Sequence, residues 1–75
     1  MAYTHTEILM KITVNGTEKV LNNPIGLPEL VGQFCKNARN VIAEVNGEIL
    51  TSSQWSGKTI KDGDTIELVS FVGGG

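Results

Sequence analysis

Seventy-five residues with a formal charge of −2, from six basic and eight acidic side chains, make one domain near the lower size limit for an unassisted core. With 40% hydrophobic and 19% charged residues the chain reads as globular rather than disordered, and the lack of a basic block or basic–aromatic stripe argues against a nucleic-acid partner. One cysteine excludes an internal disulfide, and no apolar run nears the ~20 residues of a membrane span.

Met1 to Glu7 has no hydrophobic periodicity and is expected to be a flexible arm, with His5 solvated in it. It lacks the basic start and apolar stretch of a signal peptide, so a cytoplasmic protein with no membrane partner is expected. Ile8 to Val14 reads as a strand, with Ile8, Met10, Ile12 and Val14 at period two on one face and Lys11 and Thr13 opposite. Asn15-Gly16 is a strong hairpin signal because both residues tolerate positive φ. Thr17 to Leu21 returns as the second strand, and its Glu18 and Lys19 suggest an edge protected against further pairing.

Asn22 to Gly26 is a loop by composition. Pro28 stands where a helix would begin, and Leu27, Leu30, Val31 and Phe34 follow the i, i+3, i+4, i+7 spacing of a buried helical stripe. Gly32 weakens that helix by about 1 kcal/mol, so it depends on packing. Cys35 borders the stripe and is expected to be a buried, inert thiol. Asn37 to Asn40 ends the element. Val41 to Val45 is the next strand, Asn46-Gly47 a second hairpin signal, and Glu48-Ile49-Leu50 the short return. Thr51 to Lys61 is irregular, with Trp55 and Ile60 expected to cap the open end of the core. Asp62-Gly63-Asp64 is a turn into a last strand running from Thr65 to Val72.

A helix between two hairpins must cover the apolar face of a sheet, since a single layer this small cannot bury one. Ile66, Leu68 and Val69 make the last strand too apolar for an edge, which places it centrally, beside the first. The expected fold class is therefore α+β, a β-grasp (ubiquitin-like) domain with a mixed five-stranded sheet and one main helix packed across it. Its expected divisions are an arm over 1–7, the β-grasp domain over 8–72 and a flexible tail over 73–75.

No constellation points to catalysis. Gly57-Lys58-Thr59 resembles the end of a phosphate-binding loop, but Ser52 stands where the pattern needs glycine, and a turn follows where it needs a helix. One His and one Cys far apart provide no metal set and no nucleophile–base pair. The catalytic and metal sites are accordingly read as none, and no bound cofactor is expected.

The distinctive stretch is Phe71-Val72-Gly73-Gly74-Gly75. Three glycines add nothing to a core, yet extended they reach about 10 Å, a thin thread able to carry the α-carboxylate of Gly75 into another protein's active site. A frayed end or a linker is the plain alternative. Coupled to AMP, the carboxylate becomes a mixed anhydride, and attack by a sulfur donor then leaves a thiocarboxylate. Alternation places Glu67, Val69 and Phe71 on the face away from the helix, where Val69, Phe71 and Val72, with Leu9 on the adjacent strand, form a candidate docking patch beside the tail root. Phe71 curling over the sheet edge is the alternative there.

Lys11-Ile12-Thr13-Val14-Asn15-Gly16, Leu30-Val31, Val45-Asn46-Gly47-Glu48-Ile49, Ser53-Gln54-Trp55, Lys61-Asp62-Gly63-Asp64 and Val72-Gly73-Gly74-Gly75 stand in an order and spacing that resembles the ThiS/MoaD family of ubiquitin-like sulfur carriers, in particular its thiamine-thiazole branch. The resemblance runs from about residue 8 onward; the arm is longer than the usual family start, and Pro28 with Gly32 makes the helix less regular. It implies that Gly75 is adenylated, at the cost of ATP, by an E1-like enzyme of ThiF type, with Gly73 and Gly74 threading that active site. It further implies conversion to a thiocarboxylate by a sulfur donor protein and delivery to a thiazole synthase of ThiG type. The small subunit of molybdopterin synthase, a ubiquitin-like modifier and an inert β-grasp binding module are the alternative readings.

Overall fold

The computed structural model describes residues 9–70. The expected arm, Ile8, Phe71, Val72 and the Gly73–Gly75 tail lie outside the described residues, as do the boundaries expected at 8 and 72. In chain order the elements are β1 (Met10–Val14), β2 (Thr17–Leu21), β3 (Ile25–Gly26), α1 (Leu27–Phe34), β4 (Val41–Val45), β5 (Glu48–Leu50), β6 (Thr59–Ile60) and β7 (Thr65–Ser70). Five strands form one sheet in the order β2-β1-β7-β4-β5, with β1 and β7 parallel and the other neighbours antiparallel. This is the β-grasp arrangement, with the last strand at its centre and β2 at an edge, as the sequence predicts.

The period-two patterns decide which face is covered. Met10, Ile12 and Val14 of β1, Val41, Ala43 and Val45 of β4, and Ile66 and Leu68 of β7 are all buried on the face that meets Leu27, Leu30 and Val31 of α1. Full burial of a side chain of this size contributes about 1.5–3 kcal/mol, so these residues hold the small domain together without a disulfide. Both hairpins close on Asn-Gly turns with positive φ at both central residues, 50° and 82° at Asn15-Gly16 and 52° and 88° at Asn46-Gly47. That turn geometry matches the twist of the flanking strands.

Three expectations change. The segment before the helix and the connector after β5 are not wholly irregular: Ile25–Gly26 pairs with Thr59–Ile60 as a second, two-stranded sheet. Helix α1 stops at Phe34, earlier than expected, because Cys35 adopts extended backbone (φ −132°, ψ 133°) while its N–H still reaches the Val31 carbonyl at 2.8 Å. Phe34, placed by its spacing in the buried stripe, is 40% exposed. It is the final helical residue, and the Lys19 ammonium lies 5.4 Å from its ring centroid. Lys19 is in register with buried Ile12 and so reaches up the helix side, while Glu18, in register with Thr13, faces outward.

The helix start is held by backbone rather than by a side-chain cap. Gly26 at the N-cap makes no side-chain bond, Pro28 removes one donor, and the Leu27 N–H donates to the Lys58 carbonyl at 2.9 Å. The connector earns its position through Trp55, which is buried and donates from Nε1 to the Leu50 carbonyl at 3.1 Å. Just before it, Thr51 and Gln54 close a reciprocal capping box around Ser52–Gln54, a short 3₁₀ turn. Trp55 and Ile60 thus cap the core as expected.

Candidate functional site

The site under consideration is the end of β7, from which the chain runs on to Gly75. β7 is the most thoroughly supported strand of the sheet. On one side it pairs with β4 from Val45↔Ile66 to Val41↔Ser70; on the other it pairs with β1 at Thr13↔Thr65 and Val14↔Ile66. Where β1 ends, side chains take over. Asn15 Oδ1 accepts the Leu68 N–H at 2.7 Å, and Asn46 Oδ1 accepts the Thr65 N–H at 2.9 Å. Each hairpin asparagine therefore does two things: it adopts the positive φ of its turn and grips the backbone of the central strand.

The Asp62-Gly63-Asp64 turn holds the entry to β7 in the same manner. Asp62 Oδ1 accepts from the Lys11 N–H at 2.7 Å, while Asp64 accepts from the Lys61 N–H at 2.8 Å and from Asn46 Nδ2 at 2.9 Å. Gly63, at φ 88°, donates its N–H to the Lys11 carbonyl at 2.8 Å. Both carboxylates are thus engaged with the backbone, and among the described residues no group of three or more His, Cys, Asp or Glu could hold a metal ion. Of the phosphate-loop look-alike, Lys58 precedes β6 and Thr59 opens it, in register with Gly26. Cys35 is half-buried against the core.

Of the residues expected to form a docking patch, Phe71 and Val72 lie outside the described residues, as do Gly73, Gly74 and Gly75. Val69 faces away from the helix and is 57% exposed, as alternation predicts. Leu9 is also exposed, but it is not a neighbour of Val69. In the parallel β1–β7 pairing Thr13 stands beside Thr65, so Leu9 lies four residues toward one end of the sheet and Val69 four toward the other. At strand rise that is about 25 Å. The neighbour expected on β1 is instead found on β4: Ile42 is the register partner of Val69 and is 39% exposed. The signal for Ile42 was present in Val41-Ile42-Ala43, an apolar run on both faces of a strand, but only the strand order places it beside Val69.

A model of the ThiS family matches residues 7–75. The chain belongs to the ThiS family. The crystal structure of the thiamine biosynthesis protein ThiS from Geobacter metallireducens superposes with a TM-score of 0.75 at 35% identity, covering 88% of this chain and all of that one. The solution structure of a thiamine biosynthesis protein from Geobacter metallireducens gives 0.71 at the same identity, covering 88% of each chain. Among curated proteins, a thiazole synthase of Paramagnetospirillum magneticum is 35% identical over 66 residues, which is 88% of this chain. The chain spans 20% of that relative's length. The ycf40 protein of Trieres chinensis, an uncharacterized protein, is 36% identical over 62 residues, 83% of this chain and 85% of the relative. The family match includes Gly73, Gly74 and Gly75, and the shared fold puts the strand that leads to them at the centre of the sheet. No helix among the described residues is long and apolar enough to cross a membrane.

Proposed function

We propose that this protein is a sulfur carrier for thiazole formation in thiamine biosynthesis, a substrate of partner enzymes rather than an enzyme. The observation that carries this reading is the ThiS family match through residue 75, with its three closing glycines. An E1-like adenylating enzyme couples the Gly75 carboxylate to AMP from ATP with release of pyrophosphate. Hydrogen sulfide ion released by a sulfur donor then attacks the acyl carbon; a C–S bond forms, the C–O bond to AMP breaks with AMP as the leaving group, and loss of the S–H proton to solvent leaves the thiocarboxylate on Gly75. A thiazole synthase receives that sulfur. Gly73 and Gly74 suit the passage because no Cβ widens the chain inside a narrow channel. The fold's contribution is positional: two asparagines and two neighbouring strands hold the strand from which this thread departs. The thiazole synthase relative, which contains a like segment within its own longer chain, supports that enzyme as the acceptor.

Incubation with ATP, the adenylating enzyme and a sulfur source, followed by intact-mass measurement, tests the proposal. The expected product is heavier by the difference between one sulfur and one oxygen. A chain blocked at Gly75 as the amide should gain nothing; an unchanged mass for the unblocked chain, or full activity of the amide, refutes the carrier role.

A further inference from the structure

Asn15-Gly16 and Asn46-Gly47 are the same dipeptide in the same kind of turn, yet the fold treats their side chains differently. Both asparagines are exposed to water, and both donate the backbone N–H to a β7 carbonyl, Asn15 to Ile66 at 2.9 Å and Asn46 to Thr65 at 2.8 Å. Both side-chain oxygens accept a β7 amide. The difference lies at Nδ2. That of Asn46 donates to Asp64 Oδ1 at 2.9 Å, and Asp64 is itself fixed by the Lys61 N–H on Oδ2. The Asn15 side chain is held by the Leu68 bond alone among the described residues.

An asparagine followed by glycine can react with its own main chain, one reason asparagine is thermolabile. The Gly16 backbone nitrogen gives its proton to a solvent base and attacks Asn15 Cγ. An N–C bond forms, the Cγ–Nδ2 bond breaks, and ammonia leaves with a proton taken from water, closing a succinimide ring. Water then opens the ring. Cleavage at Cγ leaves aspartate; cleavage at the main-chain carbonyl leaves isoaspartate, in which the main chain runs through the side-chain carbons. Ring closure needs the glycine nitrogen beside Cβ, the arrangement of a type II′ turn with ψ about −120°, whereas positive φ at both central residues makes this turn type I′. Passing from one to the other flips the Asn-Gly peptide plane, and glycine accepts φ of either sign. The Leu68 N–H, 2.7 Å from Oδ1, donates to the oxygen on which negative charge develops during the attack. At Asn46 the same charge would form beside the Asp64 carboxylate, which also holds the departing nitrogen.

We propose that Asn15 is a site of spontaneous modification, converting without an enzyme to isoaspartate and so releasing Leu68, whereas Asp64 protects Asn46. An extra main-chain atom spoils a loop whose length sets the register of β1 and β2, and the shortened side chain no longer brings an acceptor to Leu68 on the strand that leads to the tail. This holds whether or not the chain carries sulfur. Incubation of the full chain at mildly alkaline pH, followed by peptide mapping and isoaspartyl methyltransferase labelling, tests it. Asn15 is expected to convert roughly fivefold or more faster than Asn46, the worth of one further bond to a carboxylate, at a rate that rises with pH. In urea, where both dipeptides are free, the two rates should agree. Asp64→Ala should bring Asn46 up to the rate of Asn15. Asp64→Asn, which keeps an acceptor without the charge, should fall between; with its melting temperature checked, it decides the matter if the alanine variant unfolds. The Leu68 amide of the purified isoaspartate form should exchange faster than in the parent, while in Asn15→Asp, which keeps both the oxygen and the turn length, it should stay protected. Equal rates in the folded chain, faster conversion of Asn46, no conversion at either site, or a Leu68 amide unmoved by isoaspartate overturns the proposal.

Discussion

Asn15 and Asn46 show how one residue type serves two constraints in so short a chain. Few residues but glycine and asparagine sit comfortably at φ near 50°, and of these only asparagine brings an acceptor that can reach an adjacent strand. Replacement of Asn15 by glycine keeps the turn and removes the bond to Leu68; it should cost about 1 kcal/mol in urea unfolding. Asn15→Ala adds the left-handed backbone penalty, about another 1–2 kcal/mol. In both variants the Leu68 amide should exchange with solvent faster, and unchanged exchange there would deny the asparagine its role at the tail strand. Trp55 makes a comparable double contribution. Trp55→Phe retains most of the apolar volume but removes the Nε1 bond to the Leu50 carbonyl, an expected loss of about 1 kcal/mol by the same measurement.

At the level of the element, α1 is short and poorly capped, and it persists because Leu27, Leu30 and Val31 are buried against the sheet. Leu30→Ala should therefore cost about 2–5 kcal/mol, whereas Phe34→Ala should cost far less, since the Phe34 ring is partly in solvent and its contact with Lys19 is worth about 0.5–1 kcal/mol. A pure spacing argument would rank the two alike; chemical denaturation of the pair distinguishes them. Gly32 offers the opposite test. A Cβ built there meets nothing within 4 Å and the backbone is helical, so Gly32→Ala should raise stability by about 0.5–1 kcal/mol. The short β3–β6 pair is not legible in the sequence because two-residue strands have no measurable period, and the bond from Leu27 to the Lys58 carbonyl joins segments far apart in the chain.

For the molecule as a whole, the described core from residue 9 to residue 70 contains every packed side chain discussed above, and a glycine has no side chain to add to it. Deletion of Gly74 and Gly75 should leave the melting temperature and the circular dichroism of the domain as they are while abolishing thiocarboxylate formation, a separation of fold from function visible by mass spectrometry. The β-grasp order, the two hairpins, the central place of β7 and the exposure of Val69 were all legible beforehand, because each follows from local alternation, from turn chemistry or from the need to bury one face. The same alternation marks Val69 as outward but cannot say which strand end lies beside it; Leu9, the neighbour it suggests, lies about 25 Å away across the sheet. Local pattern determines which face a side chain takes, since that depends only on its own backbone. Register and strand order determine its neighbours, and these are set by long-range pairing. Only that pairing brings Ile42 beside Val69 and sets Glu44 against Glu67.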